Sequence, residues 1–130
     1  ISNGLEKHLE TPAGLLSGGQ RQALSLLMAT LKRPELLLLD EHTAALDPKT
    51  AAKVLELTDR LVTTQKLTTL MITHNMRDAL RYGNRLVMMH AGRIVVDVKG
   101  DEKKHLTVPD LLALFEKGAG EVSDAMMLSS

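Results

Sequence analysis

The spacing of apolar residues predicts a helix over residues 17–31. Ser17 can cap its start and Pro34 lies just beyond its end. Between them, apolar side chains recur at helical spacing, at Leu24, Leu27, Met28 and Leu31.

Two apolar runs predict buried strands. Residues 36–39 are a continuous run of leucines followed by Asp40 and Glu41, which is typical of a strand buried on both faces of a parallel sheet. We expect this strand to end near Asp40. Residues 67–73 are rich in Thr, Leu and Ile and predict a second buried strand.

A helix signal follows each predicted strand. Asp47 and Pro48 begin a helix that we expect to run to about Thr64, with an apolar face formed by Ala51, Val54, Leu55, Thr58, Leu61 and Val62. A shorter helix is predicted over residues 76–82, with Gly83 as its stop. Alternating strands and helices predict a right-handed βαβ crossover and an α/β fold with a parallel sheet flanked by helices. Because only two parallel strands are evident, we expect the sheet's other strands to lie outside this chain.

The last third of the chain predicts a hairpin and one more helix. Residues 86–89 and 93–98 flank a short connection that contains glycine, which favours an antiparallel hairpin. Residues 99–104 are expected to form a solvated turn, and Thr107 to begin a helix with Leu111, Leu112, Leu114 and Phe115. After Gly118 the residues are small and polar, so we expect a frayed tail there.

Composition narrows the class of protein. The 130 residues are 44% hydrophobic, with 16 basic and 16 acidic side chains, which is typical of one soluble domain and does not favour a nucleic-acid or anionic-membrane surface. The lack of cysteine excludes disulfides and thiolate metal sites and favours a reducing compartment. No apolar run approaches the ~20 residues needed to cross a bilayer. The chain begins at Ile1 without a targeting pattern, which favours a piece of a longer protein.

Asp40 and Glu41 carry the strongest chemical signal. They lie at the carboxyl end of a predicted buried strand, where open α/β sheets build their ligand sites. Asp40 is placed to hold a hydrated Mg²⁺ ion, and Glu41 to orient or deprotonate an attacking water. A strand that ends in two solvated acids is the alternative, and the pair alone does not exclude it.

Two weaker signals accompany the acids. Residues 17–20 place two glycines and a hydroxyl at a helix start, where backbone N–H groups and the helix dipole favour an anion. A serine-capped turn explains the same residues. His74 follows the second strand, at the sheet edge predicted for Asp40 and Glu41, where an imidazole can hydrogen-bond a terminal phosphate. The other four histidines are interpreted as surface or satisfied core residues, and no pair has the spacing of a helical zinc site.

Four short motifs, taken in order, make the chain resemble the C-terminal half of the nucleotide-binding domain of ATP-binding cassette (ABC) transporters. LSGGQ at residues 16–20 matches the family's signature motif, and LLLLDE at 36–41 its Walker B strand with the catalytic glutamate. ALDP at 45–48 matches the D-loop, and THN at 73–75 contains the switch histidine. The resemblance covers roughly residues 10–115 and rests on the order and spacing of all four motifs.

The resemblance implies a P-loop NTPase-like fold that hydrolyses ATP to ADP and phosphate, with ATP and Mg²⁺ as ligands. Two such domains pair head to tail, so the γ-phosphate is contacted in trans by Ser17, Gly18, Gly19 and Gln20. Asp47 acts across the dimer interface. In cis, Asp40 serves Mg²⁺ through water, while Glu41 and His74 are the implied catalytic residues, for the attacking water and the γ-phosphate respectively.

The resemblance also implies partners and an organisation of the chain. The implied partners are a second nucleotide-binding domain, transmembrane permease subunits and a solute-binding protein, with no nucleic acid. They place the protein peripherally on the cytoplasmic face of a membrane, where ATP hydrolysis drives solute transport. Residues 1–33 correspond to the end of a helical subdomain with the signature helix, 34–117 to the catalytic core, and 118–130 to a flexible tail.

Two departures from the family pattern affect these expectations. The family most often has proline before Thr43, whereas this chain has His42, which removes a restriction on φ and puts the rigidity of the loop in doubt. We interpret His42 as a tolerated loop residue. No G-x-x-x-x-G-K-S/T occurs, so we expect the P-loop upstream and poor ATP binding by this chain alone. A non-transport ABC ATPase of translation or DNA repair, and a non-catalytic interaction module, remain alternatives.

Overall fold

A computed structural model describes residues 17–129 and divides the chain into two compact units, Ile1–Thr73 and His74–Ser130. Expectations for residues 1–16, among them Leu16 of the signature motif and the first part of the predicted helical subdomain, lie outside the described residues.

The described part of the first unit alternates helices and strands, as the sequence predicts. Its elements are α1 (Gly18–Thr30), β1 (Leu37–Asp40), α2 (Pro48–Gln65) and β2 (Thr69–Ile72). β1 and β2 are parallel, with Leu37 opposite Thr69 and Asp40 opposite Ile72. The predicted α/β arrangement of a parallel strand pair joined through a helix is therefore confirmed.

The core of this unit lies on one face of β1. It is formed by buried residues of α1, β1 and α2 and of the segment before β2, namely Ala23, Leu26, Leu37, Leu39, Leu57 and Leu67. Leu38 and Leu70 point to the opposite face and are 58% and 54% exposed. The prediction that the leucine strand is buried on both faces is thus wrong for the described residues. Successive strand side chains alternate between faces, and the core with α1 and α2 lies on only one of them.

The second unit contains the predicted hairpin. Its elements are α3 (Met76–Arg81), β3 (Arg85–His90), β4 (Arg93–Lys99), α4 (Gly100–Lys104) and α5 (Val108–Ser129). β3 and β4 are antiparallel and are joined by Ala91 and Gly92, whose φ values of 51° and 76° are both positive, as in a type I′ turn. The core comprises Leu86, Val96, Val98 and Leu111.

The end of the chain differs from the predicted frayed tail. α5 continues without interruption from Val108 to Ser129. Gly118 lies inside this helix and packs closely against β4, since a Cβ built on it would lie 2.6 Å from the Val95 carbonyl oxygen. The residues that follow include several good helix formers, which carry the helix through Gly120.

The predicted solvated turn at residues 99–104 is also wrong. This segment contains α4, and Lys103 is only 4% exposed. None of the helices within residues 17–129 is long and apolar enough to cross a membrane.

Candidate functional site

The two acids lie where the sequence places them, at the carboxyl end of β1. Asp40 is the last residue of the strand and is exposed, and Glu41 follows it half-buried. The Glu41 N–H donates to the Ile72 carbonyl at 2.8 Å, which extends the contact between β1 and β2 by one residue. The φ of Glu41 is 49°, in the left-handed region that residues with a Cβ rarely adopt. The chain therefore turns sharply out of the sheet at the proposed catalytic carboxylate.

The loop after Glu41 is made of two consecutive turns. The Ala44 N–H donates to the Glu41 carbonyl, and the Leu46 N–H donates to the Thr43 carbonyl, each at 3.1 Å. Because both turns are closed by backbone bonds, this segment has a defined path from the end of β1 to the start of α2.

His42 is more firmly held than a tolerated loop residue would be. Its ring is half-buried, and its Nε2 lies 3.0 Å from Thr58 Oγ1 on the buried face of α2. Burial lowers the pKa of His42 from its usual value, so the neutral imidazole is favoured near neutral pH. The sequence alone does not reveal this contact, because the two residues are 16 positions apart.

The N-terminus of α1 is a capping box. Ser17 Oγ accepts from the Gln20 N–H at 3.2 Å, and Gln20 Oε1 accepts from the Ser17 N–H at 3.1 Å. This bears out the predicted serine cap. The capping bond uses a lone pair of the hydroxyl and leaves its hydrogen for another acceptor. The role of residues 17–20 toward an anion stays a prediction.

Asp47 caps α2 in a similar way. Its carboxylate accepts from the Thr50 N–H at 3.0 Å and from the Thr50 hydroxyl at 2.6 Å. These bonds, the hydroxyl first, lower the pKa of Asp47. Sequence reasoning missed Thr50, although a hydroxyl three residues after an N-cap aspartate is a signal that could have identified it.

The signature segment and the D-loop segment touch within the first unit. A Cβ on Gly18 would lie 3.3 Å from a Leu46 methyl, and one on Gly19 would overlap the Cγ2 methyl of Thr50. The two glycines therefore allow the start of α1 to approach the start of α2 closely.

His74 is exposed and begins the second unit, two residues after the end of β2. Asn75 beside it caps α3 by accepting from the Asp78 N–H at 3.1 Å. The expectation that His74 lies at the same sheet edge as Asp40 and Glu41 stays a prediction.

Lys103 is a second residue that sequence reasoning missed. Its Nζ donates to the carbonyls of Leu80, Tyr82 and Gly83 at 2.7, 3.0 and 3.0 Å. These carbonyls lie at and just beyond the C-terminus of α3, where a cation is favoured by the helix dipole. Burial lowers the pKa of Lys103, whereas the three acceptors favour its charged form. Lys103 thus closes the end of the helix that follows His74.

Asp40 and Glu41 do not form a complete metal site by themselves. No group of three or more His, Asp or Glu side chains within residues 17–129 is arranged to hold a metal ion. One exposed strand-end aspartate with a neighbouring glutamate fits instead a Mg²⁺ ion that keeps several waters and takes its remaining ligands from phosphate.

Comparisons with known proteins place the chain in a family. The family model described as ABC transporter matches residues 1–44. The tyrosine transport ATP-binding protein of Clostridioides difficile is 57% identical over 116 residues, which are 89% of this chain and 46% of that protein. The thiamine import ATP-binding protein of Photobacterium profundum is 42% identical over 93 residues, 72% of this chain and 39% of that protein.

A relative named for a different transport system matches a similar stretch. The energy-coupling factor transporter ATP-binding protein EcfA2 of Bacillus cereus is 38% identical over 100 residues, 76% of this chain and 34% of that protein. The chain spans less than half the length of each of these relatives. Its α/β structure is that of the P-loop NTPase fold to which such ATP-binding proteins belong. The chain is therefore part of an ATP-binding domain of the ABC transporter family.

Proposed function

We propose that this chain is the C-terminal portion of the ATP-hydrolysing subunit of an ABC importer, where it supplies the water-activating side of one ATP site and the signature side of another. ATP-binding proteins of this family are ATPases. The observation that carries the proposal is the placement of Asp40 and Glu41 together at the carboxyl end of β1. The relatives' names all specify transport, and the thiamine protein's name specifies import, which favours transport over the translation, DNA-repair and interaction-module alternatives.

In the cis site, Glu41 orients and deprotonates the water that attacks the γ-phosphate, while His74 donates a hydrogen bond to a γ-phosphate oxygen. Asp40 is the residue that would hold Mg²⁺ through water, and the bound ion would neutralise charge on the phosphates. The positive φ of Glu41 supports this assignment, because the backbone leaves the strand conformation directly after Asp40, at the carboxyl end of β1.

In the trans site, Ser17, Gly18, Gly19 and Gln20 contact the γ-phosphate of an ATP held by a second domain. The capping box uses the N–H groups of Ser17 and Gln20, so the Ser17 hydroxyl hydrogen and the Gly18 N–H, at the exposed start of α1, are the donors for an anion. Asp47 follows Leu46, whose methyl group lies close to Gly18, and contributes to the same dimer interface. The second domain, permease subunits and a solute-binding protein are the partners, and the protein acts at the cytoplasmic face of the membrane.

The proposal is tested in the complete protein that carries this chain, purified with its permease partners. Glu41→Gln preserves the shape of the side chain but removes the base, so kcat for ATP hydrolysis should fall by roughly 10²-fold or more. Glu56→Gln is the matched control, since Glu56 is exposed on α2. Equal rates for the two variants would refute the assignment of Glu41.

Two other results would favour the alternatives. An absence of turnover in the wild-type protein, with the upstream half present, would favour the interaction module. ATPase activity with no permease recovered on affinity purification would favour a non-transport ATPase.

A further inference from the structure

The hydrogen bond between His42 and Thr58 has only one consistent direction. Thr58 Oγ1 lies 2.7 Å from the Val54 carbonyl oxygen, which can only accept, so the single hydroxyl hydrogen of Thr58 is used there. Oγ1 must then accept from His42, and the hydrogen lies on Nε2 of the ring. His42 therefore donates to Thr58, and Thr58 in turn donates to the backbone of α2.

These two hydrogen bonds end at a buried part of α2. Thr58 is 5% exposed, and its neighbours Val54, Leu55 and Leu57 on α2 are also buried. His42 lies in the loop, directly after Glu41. A buried helix position thus holds the residue that follows the proposed catalytic carboxylate.

Glu41, directly before His42, has a backbone conformation that needs to be held by its surroundings. Glu41 has a φ of 49°, a sparsely populated conformation that persists only where surrounding contacts impose it. One contact is the bond from the Glu41 N–H to Ile72 on the strand side. On the loop side, the Glu41 carbonyl accepts from the Ala44 N–H, and His42 is tied to α2. Glu41 is held from both directions along the chain.

We propose that His42 is a positioning residue for Glu41, which fixes the backbone of the catalytic carboxylate to α2 through the hydroxyl of Thr58. The inference rests on the proposed function for its effect on the reaction. Its structural part does not depend on that function.

Local amide exchange tests the structural part in the complete protein. His42→Phe retains a ring of similar size but has no donor, so exchange of the Glu41 amide should accelerate roughly tenfold, as expected for loss of one hydrogen bond. Amides inside α1 and α2 should be unaffected. Unchanged exchange at Glu41, or an equal acceleration across the unit, would overturn the proposal.

A matched set of variants tests direction and rescue. Thr58→Val removes the acceptor but keeps the shape, and it should reproduce the His42→Phe effect without adding to it in the double variant. His42→Gln retains an N–H donor and should restore most of the protection. Thr63→Val, at an exposed position of α2, is the control. Nitrogen NMR of the ring should show hydrogen on Nε2, and a ring protonated only on Nδ1 would overturn the proposal.

Kinetics test the effect on the reaction. His42→Phe should lower kcat roughly tenfold with little change in KM for ATP, because the reacting carboxylate moves while the phosphate contacts remain. An unchanged kcat would overturn the positioning role. If the wild-type protein hydrolyses no ATP, the proposed function fails, while amide exchange and the ring tautomer still decide whether His42 anchors Glu41.

Discussion

The hydroxyl of Thr50 donates a hydrogen bond of 2.6 Å to the carboxylate of Asp47 across the first turn of α2. The methyl group of the same threonine lies against Gly19 in α1. Since the hydrogen bond fixes the side-chain rotamer, it also determines where the methyl group lies. Thr50 thereby links the proposed dimer-interface aspartate to the proposed signature segment.

Thr50→Val should raise the pKa of Asp47 toward its ordinary value, because the hydroxyl bond is the largest cause of its lowering. The bond from the Thr50 N–H remains, so the pKa should stay somewhat below that value. A lowered carboxyl pKa contributes stability above the unfolded pKa that is lost as pH falls through the folded pKa. In the variant, the free energy of unfolding should therefore fall less steeply as the pH is lowered through the pKa of Asp47. Carboxyl NMR titration measures the shift, with Thr64→Val as the control.

Gly19→Ala should destabilise the protein by roughly 1–3 kcal/mol, the usual cost of overpacking. The new Cβ would overlap the Thr50 methyl group. The Thr50 side chain cannot rotate away without breaking the hydrogen bond from its hydroxyl to Asp47. Thr50→Ser removes that methyl and should relieve most of the loss in the double variant. Urea unfolding of both single variants and the double variant measures the coupling. Additive effects would show that the two side chains do not compete for this space.

Gly118→Ala and Gly120→Ala should change stability in opposite directions. A Cβ at position 118 would lie 2.6 Å from the Val95 carbonyl oxygen and 2.8 Å from its Cβ, whereas one at position 120 meets nothing within 4 Å. The first variant should lose roughly 1–3 kcal/mol. The second should gain up to about 1 kcal/mol from helix propensity. Thermal unfolding followed by circular dichroism distinguishes them, and a loss in both would contradict the packing argument.

Lys103→Met should destabilise the second unit while preserving the length and packing of the side chain. It removes the donor to three carbonyls, and the loss of charged hydrogen bonds of this kind costs roughly 1.5–3 kcal/mol. Lys104→Met is the matched control, since Lys104 is 76% exposed and its contact with Asp101 is 4.0 Å long. Amide exchange in α3 should accelerate in the first variant only.

Local sequence signals predicted the order of the described elements except α4, and most element ends. Ser17 and Asp47 are N-caps in the structure, and Gly92 lies in the hairpin turn. These features depend on residues that are close together in the chain, so a short stretch of sequence is enough to predict them. The pairing of β1 with β2 followed from the strand–helix–strand order.

The expectations that proved wrong involve distant contacts. The residues after Gly118 were expected to fray, yet Gly118 packs against Val95 inside α5. Lys103 was expected in a solvated turn, yet its Nζ donates to carbonyls at the end of α3. Neither contact could be read from the local sequence, because Val95 and the carbonyls at the end of α3 belong to other elements.

The sequence by itself determined the order of the motifs, the caps, the strand that ends in Asp40 and Glu41, and hence the family. Only the tertiary structure decided how these motifs are held. It placed Thr50 against Gly19 and His42 against Thr58, and it left one face of β1 exposed at Leu38. The physical reason is range: caps and periodicity act over one or two helical turns, whereas these contacts join residues brought together only when α1, β1 and α2 pack.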